Sequence, residues 1–369
     1  MVINIKVQKV KLNKNRIRYI LLDSNYNVVE DVKRYLKYLD NKDMSPNTIK
    51  NYAHHLKQYF EYLELINLKY NEINSSKIKS AIDVFSDFIG WLKIPHYLND
   101  KINNIGEVEP LRKPQTINII VGTVLSFYDY LARDNEFDEL NVYKHQRKNS
   151  QFKGFLYELV NKKEKIRTNI LKLKTVEPEI KFINREEFEK LKSNCNLIRD
   201  KLLISIMFEG GLRLGEVLGL HLKDIDIWDN KIKIVPRENL ENNARVKNNA
   251  KGHIFFPPYV MNLFSNYIVE EFEQADSNFV FINLYGKNKG AALKPGTVQK
   301  LFDRLSEKIG KKVTAHMCRH GHATELLEQD FKAIDIKEEL RHAQIQTTFR
   351  YTHFTDKYKK ELFNKMNKE

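Results

Sequence analysis

Leu340-Arg341-His342-Ala343-Gln344-Ile345-Gln346-Thr347-Thr348-Phe349-Arg350-Tyr351-Thr352-His353 is the stretch on which the reading turns. A tyrosine this near the end of a chain is ordinarily a packing residue. Its company gives it weight. Upstream, His316-Met317-Cys318-Arg319-His320 puts His316 and Arg319 three residues apart, on one face of a helix. Cys318 points off that face and reads as core. Further back, Val246-Lys247-Asn248-Asn249-Ala250-Lys251-Gly252 is a polar turn between two strands. A lysine there, taken alone, is an ordinary exposed charge. Further back still comes Gly211-Leu212-Arg213-Leu214-Gly215-Glu216. Arg213 and Glu216 also share a helix face, and an arginine behind two glycines can present its planar fork to a phosphate. By itself that pair reads as a surface ion pair. A metal reading would use His316, His320 and His322, but no Asp, Glu or Cys arrangement completes it.

Outward from these motifs the second half of the chain reads as mixed. Asn184 caps a helix, Leu202–Phe208 is a buried helix, and Leu212–Leu220 is another. Ile225–Val235 is a hairpin around Asp229-Asn230, and Ala244–Phe256 is a second hairpin. Helices dominate from Pro258. The first half is helical. Ser45-Pro46 is a helix start, followed by Ile49, Tyr52, Leu56, Phe60 and Leu63 at helical spacing. The pattern recurs: Pro46-x-Thr48-Ile49 returns as Pro114-x-Thr116-Ile117, and Phe60 and Leu63 return as Tyr128 and Leu131. A further helix around Ile82, Phe85, Ile89 and Leu92 lies between them. The expected domains are 1–26, a strand or arm segment; 27–140, a helical domain; 141–182, a basic linker; and 183–369, a mostly helical domain with a small antiparallel sheet.

Composition narrows the partners. The chain has 369 residues, with 62 Lys and Arg against 48 Asp and Glu, a formal charge of +14. Cations in that excess suit a polyanion, because neutralising phosphates releases condensed counterions. No run approaches the roughly 20 apolar residues of a membrane span, and the N-terminus lacks a signal-peptide pattern. Two cysteines, Cys195 and Cys318, make a disulfide framework implausible and a reducing cytoplasm the expected compartment.

Taken in order, Gly-Leu-Arg-x-Gly-Glu, a hairpin Lys, His-x-x-Arg-His-x-x-Ala-Thr and Leu-x-His-x-x-Ile-x-Thr-Thr-x-x-Tyr-Thr-His resemble the tyrosine recombinases, or phage integrase family. The resemblance includes the Xer recombinases and the integrases and transposases of mobile elements. It covers 183–355, and the Ser-Pro-Asn-Thr-Ile helix resembles that family's core-binding domain. It implies an N-terminal helical domain and a C-terminal catalytic domain that clamp double-stranded DNA. The implied activity is site-specific recombination through a 3′-phosphotyrosine, for integration, excision or transposition of a mobile element. Tyr351 would be the nucleophile. Arg213, His316 and Arg319 would contact the scissile phosphate, and His342 the phosphate or leaving group. Lys247 would be the general acid, with Lys251 its competitor, and Glu216 would stand behind Arg213. A homotetramer joined through the C-terminal helix is implied, with element-encoded helper proteins as further partners, and neither membrane, metal nor cofactor.

The residue types fit that chemistry. A phosphodiester under in-line attack becomes crowded and more negative, and preorganised guanidiniums stabilise that charge. A tyrosine of pKa about 10 needs such cations and a base to attack. The 5′ oxygen leaves poorly unless an acid protonates it, and no Gly-x-x-x-x-Gly-Lys loop for ATP is present. Two other activities share parts of this pattern: a type IB topoisomerase and a catalytically silent DNA-binding regulator. The chain departs from the family at Arg341, where most relatives carry the glycine of Leu-Gly-His, able to end a helix at positive φ. If Arg341 takes that conformation, glycine there is expected to be neutral or stabilising by about 1 kcal/mol.

Overall fold

Ser45 accepts the Thr48 backbone N–H at 3.2 Å, and Pro46, which has no N–H to lose, opens the helix that follows. Local rules of this kind set the elements throughout the computed structural model. It describes residues 4–13, 16–73, 80–94, 111–133, 137–147, 165–176, 179–237, 240–242, 244, 251–272 and 275–341. The chain divides into two compact units, Met1–Glu177 and Pro178–Glu369. Among the described residues no helix is long and apolar enough to cross a membrane.

Among its described residues the first unit contains a hairpin, β1 (Lys6–Asn13) and β2 (Arg16–Leu22), and the α-helices α1 (Glu30–Asn41), α2 (Pro46–Leu65), α3 (Ala81–Lys93) and α4 (Pro114–Arg133). The repeated sequence pattern is a repeated packing pattern. Ile49, Leu56, Phe60 and Leu63 of α2 and Ile117, Val124, Tyr128 and Leu131 of α4 are all buried in one core. Tyr59 and Tyr128 share a buried hydroxyl hydrogen bond of 2.9 Å, which satisfies the polar end of two rings that otherwise pack as apolar groups. Ile5, just before β1, and Leu21 of β2 pack in the same core.

Of the basic linker expected over 141–182, residues 141–147, 165–176 and 179–182 are described. β3 (Tyr143–Arg147) and β4 (Lys165–Asn169) form an antiparallel pair within the first unit. Its anchors are apolar residues scattered among the cations. Val142 is buried, and Leu171 and Leu173 pack on the bundle. Asn118 of α4 grips the Leu173 backbone with both amide atoms, at 3.0 and 2.9 Å. Arg167 lies 3.6 Å over the Tyr143 ring and 3.3 Å from Asp129, so it is tied to its own unit. Lys148, Lys153, Lys162 and Lys163 lie outside the described residues.

The second unit is built round α6 (Ile198–Glu209), preceded by α5 (Arg185–Ser193). Asn184 and Glu187 close a capping box on α5. Leu202, Leu203, Ile204, Ile206, Met207 and Phe208 are all buried, so α6 is covered on every side. The short α7 (Leu214–Leu218) follows. One three-stranded antiparallel sheet then forms from β5 (Ile225–Asp226), β6 (Lys231–Ile234) and β7 (Gly252–Phe255). Asn230, at φ +49°, makes the first turn. Of the second hairpin expected over 244–256, β7 is present and pairs with β6, and its turn and first strand, over 245–250, lie outside the described residues. Helices α8 (Pro258–Tyr267), α9 (Pro295–Ile309), α10 (Ala315–Glu328) and α11 (Ala333–Glu339) follow among the described residues.

Candidate active site

Two glycines end α6, and the second is required by its surroundings. Gly211 sits at φ +57°, and a Cβ there would lie 2.6 Å from Leu340 Cδ2 and 2.7 Å from the His322 ring. Its backbone therefore reaches both α10 and the end of α11. Arg213 follows in extended conformation as the residue before α7. The Glu216 carboxylate, 1% exposed as a residue, folds back on it. It accepts the Arg213 N–H at 3.0 Å and Arg213 Nη1 at 2.8 Å. Arg341 Nη2 reaches the same carboxylate at 3.0 Å. Burial alone would push the Glu216 pKa up. The Arg341, Arg213 and Arg319 guanidiniums, together with the Arg213 N–H, reverse this and hold it below the usual carboxylate range.

Arg319, in α10, is 1% exposed. Nη1 donates to the Gly211 carbonyl at 2.5 Å and Nη2 to the Leu340 carbonyl. One guanidinium thus clasps the backbone of the first and fourth motifs, while each Nη carries a second N–H for other partners. His316, one turn earlier, is exposed, and its ring lies 4.5 Å from that of His320. The two residues expected on one face therefore differ in depth, with the arginine inside and the histidine at the surface. Cys318 is fully buried, and burial pushes its thiol well up. His322, 8% exposed, packs against Gly211, and burial takes its pKa down to about 4.

Of the expected site residues, the structure brings together Arg213, Glu216 and Arg319 and places His316 on the same helix as Arg319. Lys247, His342 and Tyr351 lie outside the described residues. Lys251 is exposed, one residue before β7. Arg341 takes φ +54° immediately after α11, the left-handed turn for which glycine is the usual residue. Its Cδ lies 3.4 Å from where a Cβ on Gly252 would be, so the root of the β7 hairpin and the residue before His342 meet beside Glu216. Sequence reasoning did not assign Arg341 a contact. The available signal was its standing where glycine is usual.

The matches to known proteins agree with this arrangement. Residues 181–358 match the phage integrase family, and residues 32–86 match its N-terminal SAM-like domain. Transposase A from transposon Tn554 of Staphylococcus aureus is 37% identical over 363 residues, covering 98% of this chain and 97% of that protein. Tyrosine recombinase XerS of Streptococcus gordonii is 25% identical over 348 residues, 90% of this chain and 94% of its own. Among solved structures, the Tn1549 transposon integrase in complex with a circular intermediate DNA superposes with a TM-score of 0.58. It does so at 16% identity, over 91% of this chain and 99% of that one. The XerH site-specific recombinase in a post-cleavage complex gives a TM-score of 0.57 at 21% identity, over 90% and 82%. At those identities the structures speak for the fold, whereas the transposase match spans nearly the whole of both chains. The chain belongs to the phage integrase family and is a tyrosine recombinase, an enzyme that cleaves and rejoins DNA.

Proposed function

We propose that the two units clamp double-stranded DNA and that the chain integrates, excises or transposes a mobile element. Tyr351 Oη attacks the scissile phosphorus in line, forms a 3′-phosphotyrosine and expels the 5′ oxygen. His342 or His316 takes the phenol proton, and Lys247, or Lys251 in its place, gives one to the 5′ oxygen. Arg213 and Arg319 stabilise the extra negative charge. Attack by a 5′-hydroxyl on the phosphotyrosine reverses the step and rejoins a strand, with the bond energy kept throughout. The observation that carries this reading is the guanidinium cluster around Gly211, assembled from segments about residues 213, 319 and 341. A likeness over the whole chain to the Tn554 transposase supports the mobile-element role. In the proposed synapse four protomers act on two sites. The segment after Tyr351, where Tyr358, Leu362 and Met366 recur every four residues in the sequence and which lies outside the described residues, docks on a neighbour, and element-encoded helpers join the complex. The work is done in the bacterial cytoplasm, on the nucleoid.

The test is a suicide duplex built from the ends of the element that carries this chain. The unaltered protein is expected to form a covalent adduct that survives denaturation. Tyr351→Phe is expected to bind the duplex with unchanged affinity and form none, since only the hydroxyl is lost. Adduct from the Phe variant would remove Tyr351 from the role. Binding without adduct by the unaltered protein would make the chain a silent regulator.

A further inference from the structure

Arg341 stands at φ +54°, in the left-handed region that favours glycine and, less strongly, Asn and Asp, and it is none of these. A side chain kept at such a position is expected to make contacts that outweigh the strain. Its side chain is 8% exposed. Nη2 meets Glu216 at 3.0 Å, Nη1 donates to the Glu339 carbonyl at 2.9 Å, and the stem lies over Gly252. Nε is buried with no partner among the described residues, so the side chain is fixed by these contacts and not by solvent. Three segments meet at this one residue. They are the first motif through Glu216 and Arg213, the root of the β7 hairpin next to Lys251, and the turn that leads into His342.

We infer that Arg341 is a positioning residue for strand cleavage: its ion pair with Glu216 fixes the turn before His342 against the Arg213 helix and the root of the lysine-bearing hairpin. This rests on the recombinase reading above. Restoring the family glycine relaxes the backbone but removes a cation from a buried carboxylate. Arg341→Gly therefore damages the site, against the neutral or stabilising outcome that its backbone conformation alone predicts. Glu216 would keep Arg213 and the more distant Arg319, the other charged groups facing it, and would hold its charge less firmly.

The experiment compares adduct formation on the suicide duplex at saturating DNA, with affinity measured separately. Arg341→Gly is expected to change affinity by less than about threefold and to slow adduct formation by at least about tenfold. Arg341→Lys, which keeps the charge, is expected to recover most of that rate. The acid limb of the rate–pH profile is expected to move to higher pH in Arg341→Gly, because Glu216 then protonates sooner. The shift is expected to vanish when Glu216→Gln is added. If the glycine variant fails to fold in thermal melts, Arg341→Met, which keeps the stem over Gly252, replaces it. A variant rate equal to the unaltered one, or a loss seen only in affinity, or an unmoved acid limb, overturns the Arg341 assignment. Absence of adduct from the unaltered protein overturns the recombinase reading beneath it.

Discussion

His322 is buried against Gly211, and its Nε2 has no partner among the described residues. Burial is the main cause of its low pKa of about 4, with the Arg319 and Arg341 guanidiniums adding to it and Glu209 opposing. The folded pKa lies below the unfolded value of 6.5. The unfolded chain therefore binds this proton first as pH falls, and stability is lost from about pH 6.5 down to about pH 4. The loss amounts to at most about 3.4 kcal/mol. Urea unfolding between pH 7.5 and 4.5 should show the unaltered protein losing stability more steeply than His322→Gln, by up to about 1.4 kcal/mol per pH unit. Parallel curves would mean that the ring protonates freely in the folded state. At this scale the sequence was half legible. Spacing of three paired Arg213 with Glu216, though as the cap and third residue of a capping box and not as two residues on one helix face, and it put His316 on the helix of Arg319. Depth was not legible. Arg319 is buried by carbonyls 108 and 21 residues away, and nothing local announces them.

Among elements, the approach of α10 to the entry of α5 depends on one missing methyl. A Cβ on Gly321 would stand 2.2 Å from the Ile183 carbonyl oxygen and 2.8 Å from the Phe208 ring. Alanine usually gains about 1 kcal/mol over glycine inside a helix. Here the collision is with backbone, so Gly321→Ala is expected to destabilise by about 2 kcal/mol on balance. Gly122, exposed on α4, has nothing within 4 Å of such a Cβ, and Gly122→Ala is expected to stabilise by up to about 1 kcal/mol. Thermal melts of the two variants should move in opposite directions. Equal shifts would remove the steric argument. The helices were legible because α2 and α4 repeat one start signal and one apolar spacing. The β3–β4 pair was not, since its strands are short and cationic and its apolar anchors, Val142, Leu171 and Leu173, lie outside them. The pairing of β7 with β6, across the chain from 235 to 251, was not legible either. Strand pairing is decided across the intervening chain, and alternation within a strand does not name its neighbour.

For the molecule as a whole, the formal charge of +14 sets how binding answers to salt. The logarithm of DNA affinity should fall linearly with that of salt concentration, with a slope of roughly −0.9 per phosphate contacted. Replacing Lys162, Lys163 and Lys165 together with alanine is expected to make the slope shallower in filter binding or fluorescence anisotropy. An unchanged slope would take those lysines off the DNA. The clasp made by Arg319 also has a consequence in time. During synthesis Gly211 emerges first, Arg319 follows 108 residues later, and Leu340 another 21 after that. At about 5–20 residues per second, the first of those intervals lasts roughly 5–20 s. Through that interval the Gly211 carbonyl has no guanidinium to receive, and the carbonyl that takes the other Nη does not yet exist. A nascent chain can therefore complete its helical N-terminal unit long before the Arg319 clasp can close, and a truncated product that stops short of Leu340 never ties the backbone at Gly211 to the end of α11.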